Sequence, residues 1–175
     1  MLESGADKII ISSALYEKNN WILSSAETFG SQCLIACLDY KILRNQIKFF
    51  SNQGTNPIEK SLEDLVLNIK NLQIGEIMVN SIDKDGSKTG FDLFTFKKLN
   101  ALTTKPLIVC GGYGSPKDIK KLWQKESVSI CIGNVLNHKE HSVAKIKSWI
   151  KKNTKFQVRS DKEIDYRGFD NDLLY

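Results

Sequence analysis

The sequence predicts an α/β fold in which short parallel strands alternate with helices. Five short apolar runs, rich in β-branched residues, have the composition of strands buried in a parallel sheet. Each run is followed by a segment with helical signals. The repeat length fits either a (β/α)8 barrel or an open doubly wound sheet. Five βα units could form an open sheet, but they could not close a standard eight-stranded barrel.

The five predicted strands comprise residues 8–12, 33–38, 77–79, 107–110 and 128–132. The first has three consecutive isoleucines at its centre, so we expect it to be buried on both faces. Residues 47–50 suggest a short additional strand in a hairpin, which a polar loop follows.

The predicted helices comprise residues 20–29, 57–72, 91–101 and 116–123 and a last helix around Ile146 and Trp149. The second is the most regular: Pro57 is expected to open it, and its apolar residues recur at spacings of three and four. From residue 153 the chain is polar. The sequence therefore predicts one domain of βα units at residues 1–152, which the family resemblance described below makes a partial TIM barrel, and a polar C-terminal tail at residues 153–175.

Composition narrows the class of protein. The 175 residues carry a net charge of +5 and 41% hydrophobic side chains, which suits one domain with its own core. The basic runs at 117–125 and 145–155 lie on amphipathic helices, which favours a solvated surface over a nucleic-acid interface. No membrane span or signal peptide is visible. Four cysteines within or at the ends of apolar runs are typical of a reduced, cytoplasmic protein.

Polar residues or glycines stand where the predicted strands end. In a parallel sheet the carboxyl ends of all strands meet at one edge, where α/β proteins place their chemistry. The richest stretch is residues 76–92, although an ordinary surface loop that caps the next helix would also explain it. The candidate site residues are Ser12, Ser13, Asp39, Asn80, Ser81, Asp85, Gly86, Gly111, Gly112, Gly133 and Asn134.

Two glycine-containing strand ends suggest a phosphate site. Gly111 and Gly112 precede a helix that Pro116 begins, so backbone N–H groups and a helix N-terminus are available to an anion. Gly133 and Asn134 follow the last strand and could act in the same way. A glycine pair alone is more often only a turn.

Asp39 is a single carboxylate at the end of an apolar strand, suited to proton transfer or simply to capping a turn. His138 and His141 lack a third ligand at a suitable spacing, so no metal is expected. No cofactor is expected either.

At these residues the chain resembles the cyclase subunit of imidazole glycerol phosphate synthase, a (β/α)8 barrel family of histidine biosynthesis. The resemblance spans most of residues 5–150. It implies a partial (β/α)8 TIM barrel made of about five C-terminal βα units. The stretches that carry it are GADKIIISSA, TFGSQCLIACLDYK, IGEIMVNSIDKDGSKTGFDL and KPLIVCGGYGS.

The resemblance also implies residue roles. Asp39 would be the general acid/base of the fifth barrel strand, and Asn80 and Ser81 would line the substrate site, with Asp85 and Gly86 in the loop above. One phosphate would lie at the two glycine-containing loops. The other would lie near Ser12 and Ser13.

The family reaction uses ammonia from a glutaminase partner. It splits a phosphoribulosyl formimino aminoimidazole ribonucleotide into imidazole glycerol phosphate and an aminoimidazole carboxamide ribonucleotide. A substrate with a phosphate at each end would need two anion sites. Two carboxylates would move protons during the cyclisation.

Several departures from the family pattern leave alternatives open. The resemblance begins just before the fourth βα unit, so the first-strand aspartate is absent and no cyclase activity is expected of the isolated chain. A missing N-terminal half or a second copy is therefore a candidate partner. Other changes, including residues 79–82, also resemble paralogues paired with amidotransferases in surface-polysaccharide acetamidino-sugar synthesis. A truncated, non-catalytic half-barrel is the third possibility.

Overall fold

The computed structural model describes residues 1–17, 20–123, 128–138 and 142–159. It confirms five βα units, with an antiparallel hairpin inserted in the second. The strands are β1 (Ile9–Ile11), β2 (Leu34–Leu43), β3 (Gln46–Ser51), β4 (Asn56–Ile58), β5 (Glu76–Ser81), β6 (Leu107–Cys110) and β7 (Ser129–Ile130). The helices are α1 (Trp21–Phe29), α2 (Leu62–Asn71), α3 (Leu93–Leu102), α4 (Pro116–Trp123) and α5 (Ser142–Asn153). Short 3₁₀ turns lie at Leu2–Ser4, Ser13–Tyr16, Ser31–Cys33 and Asn134–Asn137.

The parallel strands follow one another in chain order, β1–β2–β5–β6–β7. Right-handed crossovers in such an order place all the helices on one face, as in a (β/α)8 barrel. A doubly wound sheet would instead reverse its strand order. Within the described ranges β1 and β7 do not pair with each other, so the sheet is an open, partial barrel.

The two faces of the sheet have different surroundings. The helix face packs against the helices in the main core, which includes Leu38, Val79 and Val109 from the strands and Leu65 and Leu99 from the helices. The opposite face, called the inner face here, carries a smaller apolar cluster. Its members are Ile35, Cys37, Met78, Ile108, Cys110 and Cys131.

The expected burial of the first strand on both faces is wrong at Ile10, which is 56% exposed. Ile10 pairs with Ile35 and therefore lies on the inner face, on a strand whose only partner in the described part of the chain is β2. On the helix face, Ile11 is buried as predicted.

The expected start of the second helix at Pro57 is also wrong. Pro57 lies in β4, opposite Phe50, at an edge of the sheet where a missing N–H costs no ladder bond. The helix begins after Ser61, whose hydroxyl accepts a hydrogen bond from the Asp64 N–H while the Asp64 carboxylate accepts one from the Ser61 N–H. This capping box fixes the helix start.

β2 is longer than predicted and has two different partners along one edge. Its first residues pair in parallel with β1, and Asp39 to Leu43 pair antiparallel with β3. On the other edge, residues 35–40 pair in parallel with β5. The hairpin therefore begins where β1 ends, at the carboxyl end of the sheet.

Residues that follow α5 contact the barrel units. Phe156 packs edge-to-face on Trp123 with ring centroids 5.5 Å apart. The predicted tail continues into residues 160–175, which lie outside the described residues, as does His141. None of the helices in the described ranges is long and apolar enough to cross a membrane.

Candidate active site

Asp39 lies on the inner face, near the carboxyl end of the parallel sheet, directly opposite Asn80 of β5. The two side chains point the same way because paired residues of adjacent strands share a face. Asn80 Nδ2 donates to Asp39 Oδ1 at 2.7 Å, and Ser12 Oγ donates to Asp39 Oδ2 at 2.7 Å. The Cys37 thiol makes a longer contact of 3.7 Å to Oδ1. Three predicted site residues, from β2, β5 and the end of β1, are thus brought together.

Two buried polar atoms near Asp39 have no hydrogen-bond partner among the described residues. They are Asn80 Oδ1 and the Tyr16 hydroxyl. Burial, together with the nearby negative charge of Asp39, raises the pKa of Tyr16. The sequence analysis missed Tyr16, although a polar-tipped aromatic side chain shortly after a strand end is a signal of the right kind. A buried donor and a buried acceptor without partners suit a ligand that supplies both.

Ser13 is bound to the hairpin instead of to Asp39. Its hydroxyl accepts a hydrogen bond of 2.9 Å from the Asn52 N–H, in the turn between β3 and β4. Beneath this turn, the Lys41 ammonium lies 4.8 Å from the centre of the Phe50 ring. The hairpin therefore lies beside the Asp39 cluster and is tied to the segment after β1.

Ser81 lies on the other face of the sheet. It pairs with Tyr40, is fully buried, and its hydroxyl donates to Asp83 Oδ1 at 2.8 Å. The other oxygen of Asp83 accepts a hydrogen bond from the Ile42 N–H. The structure thus separates Ser81 from Asn80 and uses its side chain to hold the loop after β5.

Gly111 and Gly112 allow two loops to approach closely. Both have positive φ, at 88° and 96°. A Cβ at Gly111 would overlap the Ser81 carbonyl oxygen, and one at Gly112 would overlap the carbonyl oxygen of Gly90. Gly90 N–H also donates to the Gly112 carbonyl at 2.8 Å. The pair thus packs the loop after β6 onto the loop after β5.

The start of α4 already holds a negative group. Asp118 Oδ2 accepts hydrogen bonds from the backbone N–H groups of Gly114 and Ser115, at 3.2 and 2.9 Å. These are the N–H groups that a phosphate at this helix start would use. An anion that binds beside Gly111 and Gly112 would therefore compete with the Asp118 carboxylate for these N–H groups.

The remaining predicted residues meet where the loops after β5 and β7 approach each other. A Cβ at Gly86 would lie 3.3 Å from Asn134 Nδ2, so these two residues are neighbours. Asp85 is close enough to Cys110 and Cys131 for its charge to oppose the ionisation of their thiols. Gly133 has open space around it. The described residues contain no group of three or more His, Cys, Asp and Glu side chains arranged to hold a metal ion.

A sequential parallel βα sheet with a hydrogen-bonded carboxylate at its carboxyl end is the arrangement expected of part of a (β/α)8 barrel. The chain belongs to the histidine biosynthesis protein family, whose family model matches residues 1–142.

Curated relatives agree with this family. A putative imidazole glycerol phosphate synthase subunit HisF of Leptospira interrogans is 36% identical over 142 residues, which cover 79% of this chain and 56% of that protein. The subunit HisF of Natranaerobius thermophilus is 32% identical over 151 residues, covering 86% of this chain and 60% of that one. A putative imidazole glycerol phosphate synthase subunit hisF2 of Vibrio vulnificus is 29% identical over 175 residues, which cover 99% of this chain and 64% of that protein. The chain thus spans roughly three fifths of the length of these relatives.

Proposed function

We propose that this chain is the C-terminal part of the cyclase subunit of an imidazole glycerol phosphate synthase. In this role it takes ammonia from a glutaminase partner and acts on the phosphoribulosyl formimino aminoimidazole ribonucleotide of histidine biosynthesis. The observation that carries the proposal is the Asp39 cluster, in which Ser12 and Asn80 each donate a 2.7 Å hydrogen bond to one carboxylate oxygen. Family membership and the relatives' names support the choice of reaction.

Asp39 would act as a general acid/base. Each carboxylate oxygen has two lone-pair directions, and each short hydrogen bond uses one of them. Oδ1 also receives the Cys37 thiol contact, so Oδ2 is the oxygen with a lone pair left for a substrate proton, while Ser12 and Asn80 fix the orientation of the carboxylate. The unpartnered Asn80 Oδ1 and Tyr16 hydroxyl give the substrate two further polar contacts.

The two ends of the substrate would lie on either side of this carboxylate. One phosphate would bind where the loops after β5, β6 and β7 meet, at Gly111 and Gly112 and next to Gly86, Gly133 and Asn134. Asp85 and Ser81 would contribute indirectly, by holding these loops in position. The other phosphate would lie toward Ser12 and Ser13, at the edge where the hairpin turn is attached.

The open edges of the sheet suggest what completes the site. Neither β1 nor β7 pairs on its outer side within the described residues. Three further parallel βα units would join these edges into an eight-stranded barrel. Such units would also supply the second acid/base carboxylate that the reaction needs. We propose that they are present in the working enzyme, either on the same polypeptide or on a separate one.

The test is ammonia-dependent turnover of the ribonucleotide. The purified chain is assayed alone and together with a polypeptide that carries the first three βα units of the Natranaerobius thermophilus relative, and complex formation is measured in parallel. We expect turnover only in the complex, and a loss of about 10²–10⁴-fold in Asp39→Asn. Glu63→Gln, which changes an exposed carboxylate of α2, is the matched control and should retain activity.

Two outcomes would overturn the proposal: a folded complex with no turnover, or equal turnover in Asp39→Asn and the parent. If the complex does not convert the ribonucleotide but does convert a sugar substrate that carries no nucleotide, the result would support the surface-polysaccharide paralogue instead.

A further inference from the structure

Three of the four cysteines lie together on the inner face. Cys37 belongs to β2, Cys110 ends β6, and Cys131 directly follows β7. They form one apolar cluster with Ile35, Met78 and Ile108. These three cysteines are free thiols. Cys33 is also a free thiol, but it lies apart from them, in the 3₁₀ turn before β2.

Cys110 and Cys131 are direct neighbours across two parallel strands. Val109 pairs with Ile130, so the next residues of both strands stand opposite each other, and the Cys131 N–H donates to the Val109 carbonyl at 2.9 Å. Adjacent strands lie about 4.7–4.9 Å apart, within the range of about 4.4–6.8 Å between the Cα atoms of disulfide-bonded residues. Both side chains belong to the same inner-face cluster, so the two thiols are neighbours. The register therefore places the two cysteines as neighbours that a disulfide could join across β6 and β7.

The two thiols are not equivalent. The neighbouring Cys110 thiol, as a potential donor to the Cys131 thiolate, lowers the pKa of Cys131 to about 7, against the opposing effects of burial and of the Asp85 charge. The same interaction, followed by burial and the charges of Cys131, Cys37 and Asp85, raises the pKa of Cys110. Cys131 is therefore the nucleophile of the pair, because the thiolate is the reactive form. Both residues are only partly buried, so a small oxidant can reach them.

We propose that Cys110 and Cys131 form an oxidisable dithiol that hydrogen peroxide converts reversibly into a disulfide. The Cys131 thiolate attacks one peroxide oxygen, the O–O bond breaks, and the leaving hydroxide takes up a proton to become water. The Cys110 sulfur then loses its proton and attacks the sulfenic sulfur. The S–S bond forms as the S–O bond breaks, and a second water leaves. Two thiols are oxidised and one peroxide is reduced to two waters.

The disulfide would form directly below both glycine-containing loops. Cys110 precedes Gly111, and Cys131 lies two residues before Gly133. Oxidation would therefore fix the two strand ends relative to each other at the proposed phosphate site. This pairing depends only on the register of β6 and β7, and it does not require the proposed cyclase function.

The test treats the full chain with a slight excess of hydrogen peroxide at pH 7 and maps the products by mass spectrometry, before and after dithiothreitol. We expect the loss of two hydrogens, a Cys110–Cys131 cross-linked peptide, and full reversal by the reductant. Cys33→Ser is the matched control and should oxidise as the parent does. Cys110→Ser should stop at a sulfenic acid on Cys131, which dimedone traps, whereas Cys131→Ser should react far more slowly.

Circular dichroism of each variant establishes that it is folded before treatment. A cross-link that contains Cys37 or Cys33 would overturn the assignment of the pair. Oxidation of folded Cys131→Ser at the parent rate would overturn the role of Cys131. A second readout is alkylation by iodoacetamide, whose rate at Cys131 should rise with a midpoint near pH 7. A midpoint of an ordinary thiol, about 8.5, would contradict the proposal.

Discussion

Asn80 Nδ2 donates to Asp39 Oδ1 while Asn80 Oδ1, buried in the same side chain, has no partner among the described residues. One half of the amide thus holds the carboxylate, and the other half is left for a group that the protein does not supply. The arrangement follows from register, because residues 39 and 80 face each other across β2 and β5.

Replacing this amide by a carboxyl group should make stability depend on pH. In Asn80→Asp two carboxyl groups would stand at hydrogen-bond distance, so one would hold its proton to a higher pH in the folded chain than in the unfolded chain. That raised pKa contributes stability below pH 4, and the contribution is lost as the pH rises through the folded-state value. We expect the free energy of unfolding to fall by about 1–3 kcal/mol between pH 4 and pH 7, relative to the parent. Urea unfolding at each pH measures it. Asn71→Asp, at an exposed position of α2, is the control and should follow the parent curve.

Two tyrosines with buried hydroxyl groups should respond to the loss of the hydroxyl with opposite signs. The Tyr16 hydroxyl has no partner in the described part of the chain, whereas the Tyr40 hydroxyl donates to Asp92 Oδ2 at 3.1 Å. We expect Tyr16→Phe to raise the free energy of unfolding by about 1 kcal/mol and Tyr40→Phe to lower it by about 1–3 kcal/mol. Denaturant unfolding of both variants measures this difference. Equal losses would mean that Tyr16 finds a hydrogen-bond partner in solution.

The glycines of the two predicted phosphate loops should differ in their tolerance of a side chain. Gly111→Ala puts a Cβ into the Ser81 carbonyl at a φ of 88°, so we expect a loss of about 3 kcal/mol or more. Gly133→Ala adds its Cβ to open space at a φ of −124°, so we expect a change within about 0.5 kcal/mol. Thermal and denaturant unfolding test the contrast. Similar effects at both positions would show that the loops after β5 and β6 are not in close contact.

Anion binding at the start of α4 should improve when the competing carboxylate is neutralised. Asp118→Asn keeps a side-chain acceptor for the N–H groups of Gly114 and Ser115 but removes the charge. We expect the affinity for inorganic phosphate to rise by about fivefold, since a nearby like charge costs on the order of 1 kcal/mol. Calorimetric titration of the parent, Asp118→Asn and the distant control Asp64→Asn measures this. An unchanged affinity would place the phosphate away from α4.

The repeating βα architecture was predictable because each buried strand is a continuous apolar run bounded by polar residues or glycine. Of the two added strands of the hairpin, β3 was predicted and β4 was not. β4 contains Pro57, and the general tendency of proline to start helices outweighed the more specific signal, the Ser61–Asp64 capping box. Ile10 departed from expectation because its exposure depends on which strands lie next to β1, which the local sequence does not specify.

At the site, the meeting of Asp39 with Asn80 and Ser12 was predictable from their common place at strand ends. The separation of Asn80 from Ser81 was also predictable, because consecutive strand residues point to opposite faces of the sheet. A tyrosine shortly after a strand end was a usable signal for Tyr16, but its position beside Asp39 was not predictable, since it depends on how a 3₁₀ turn folds back over the end of β1. The contact of Asp118 with the α4 N–H groups likewise depends on a side-chain conformation that residue type does not determine.

The division of one edge of β2 between β1 and β3 has a consequence for how such proteins can diversify. The register of the barrel strands is set by residues 34–36 on one side and by β5 on the other, whereas the hairpin pairs only with residues 39–43. Lengthening or replacing the hairpin therefore leaves the barrel pairing unchanged while it alters the surface next to Asp39. Insertions at this position offer evolution, or a protein engineer, a way to change which molecules reach the carboxylate without refolding the scaffold.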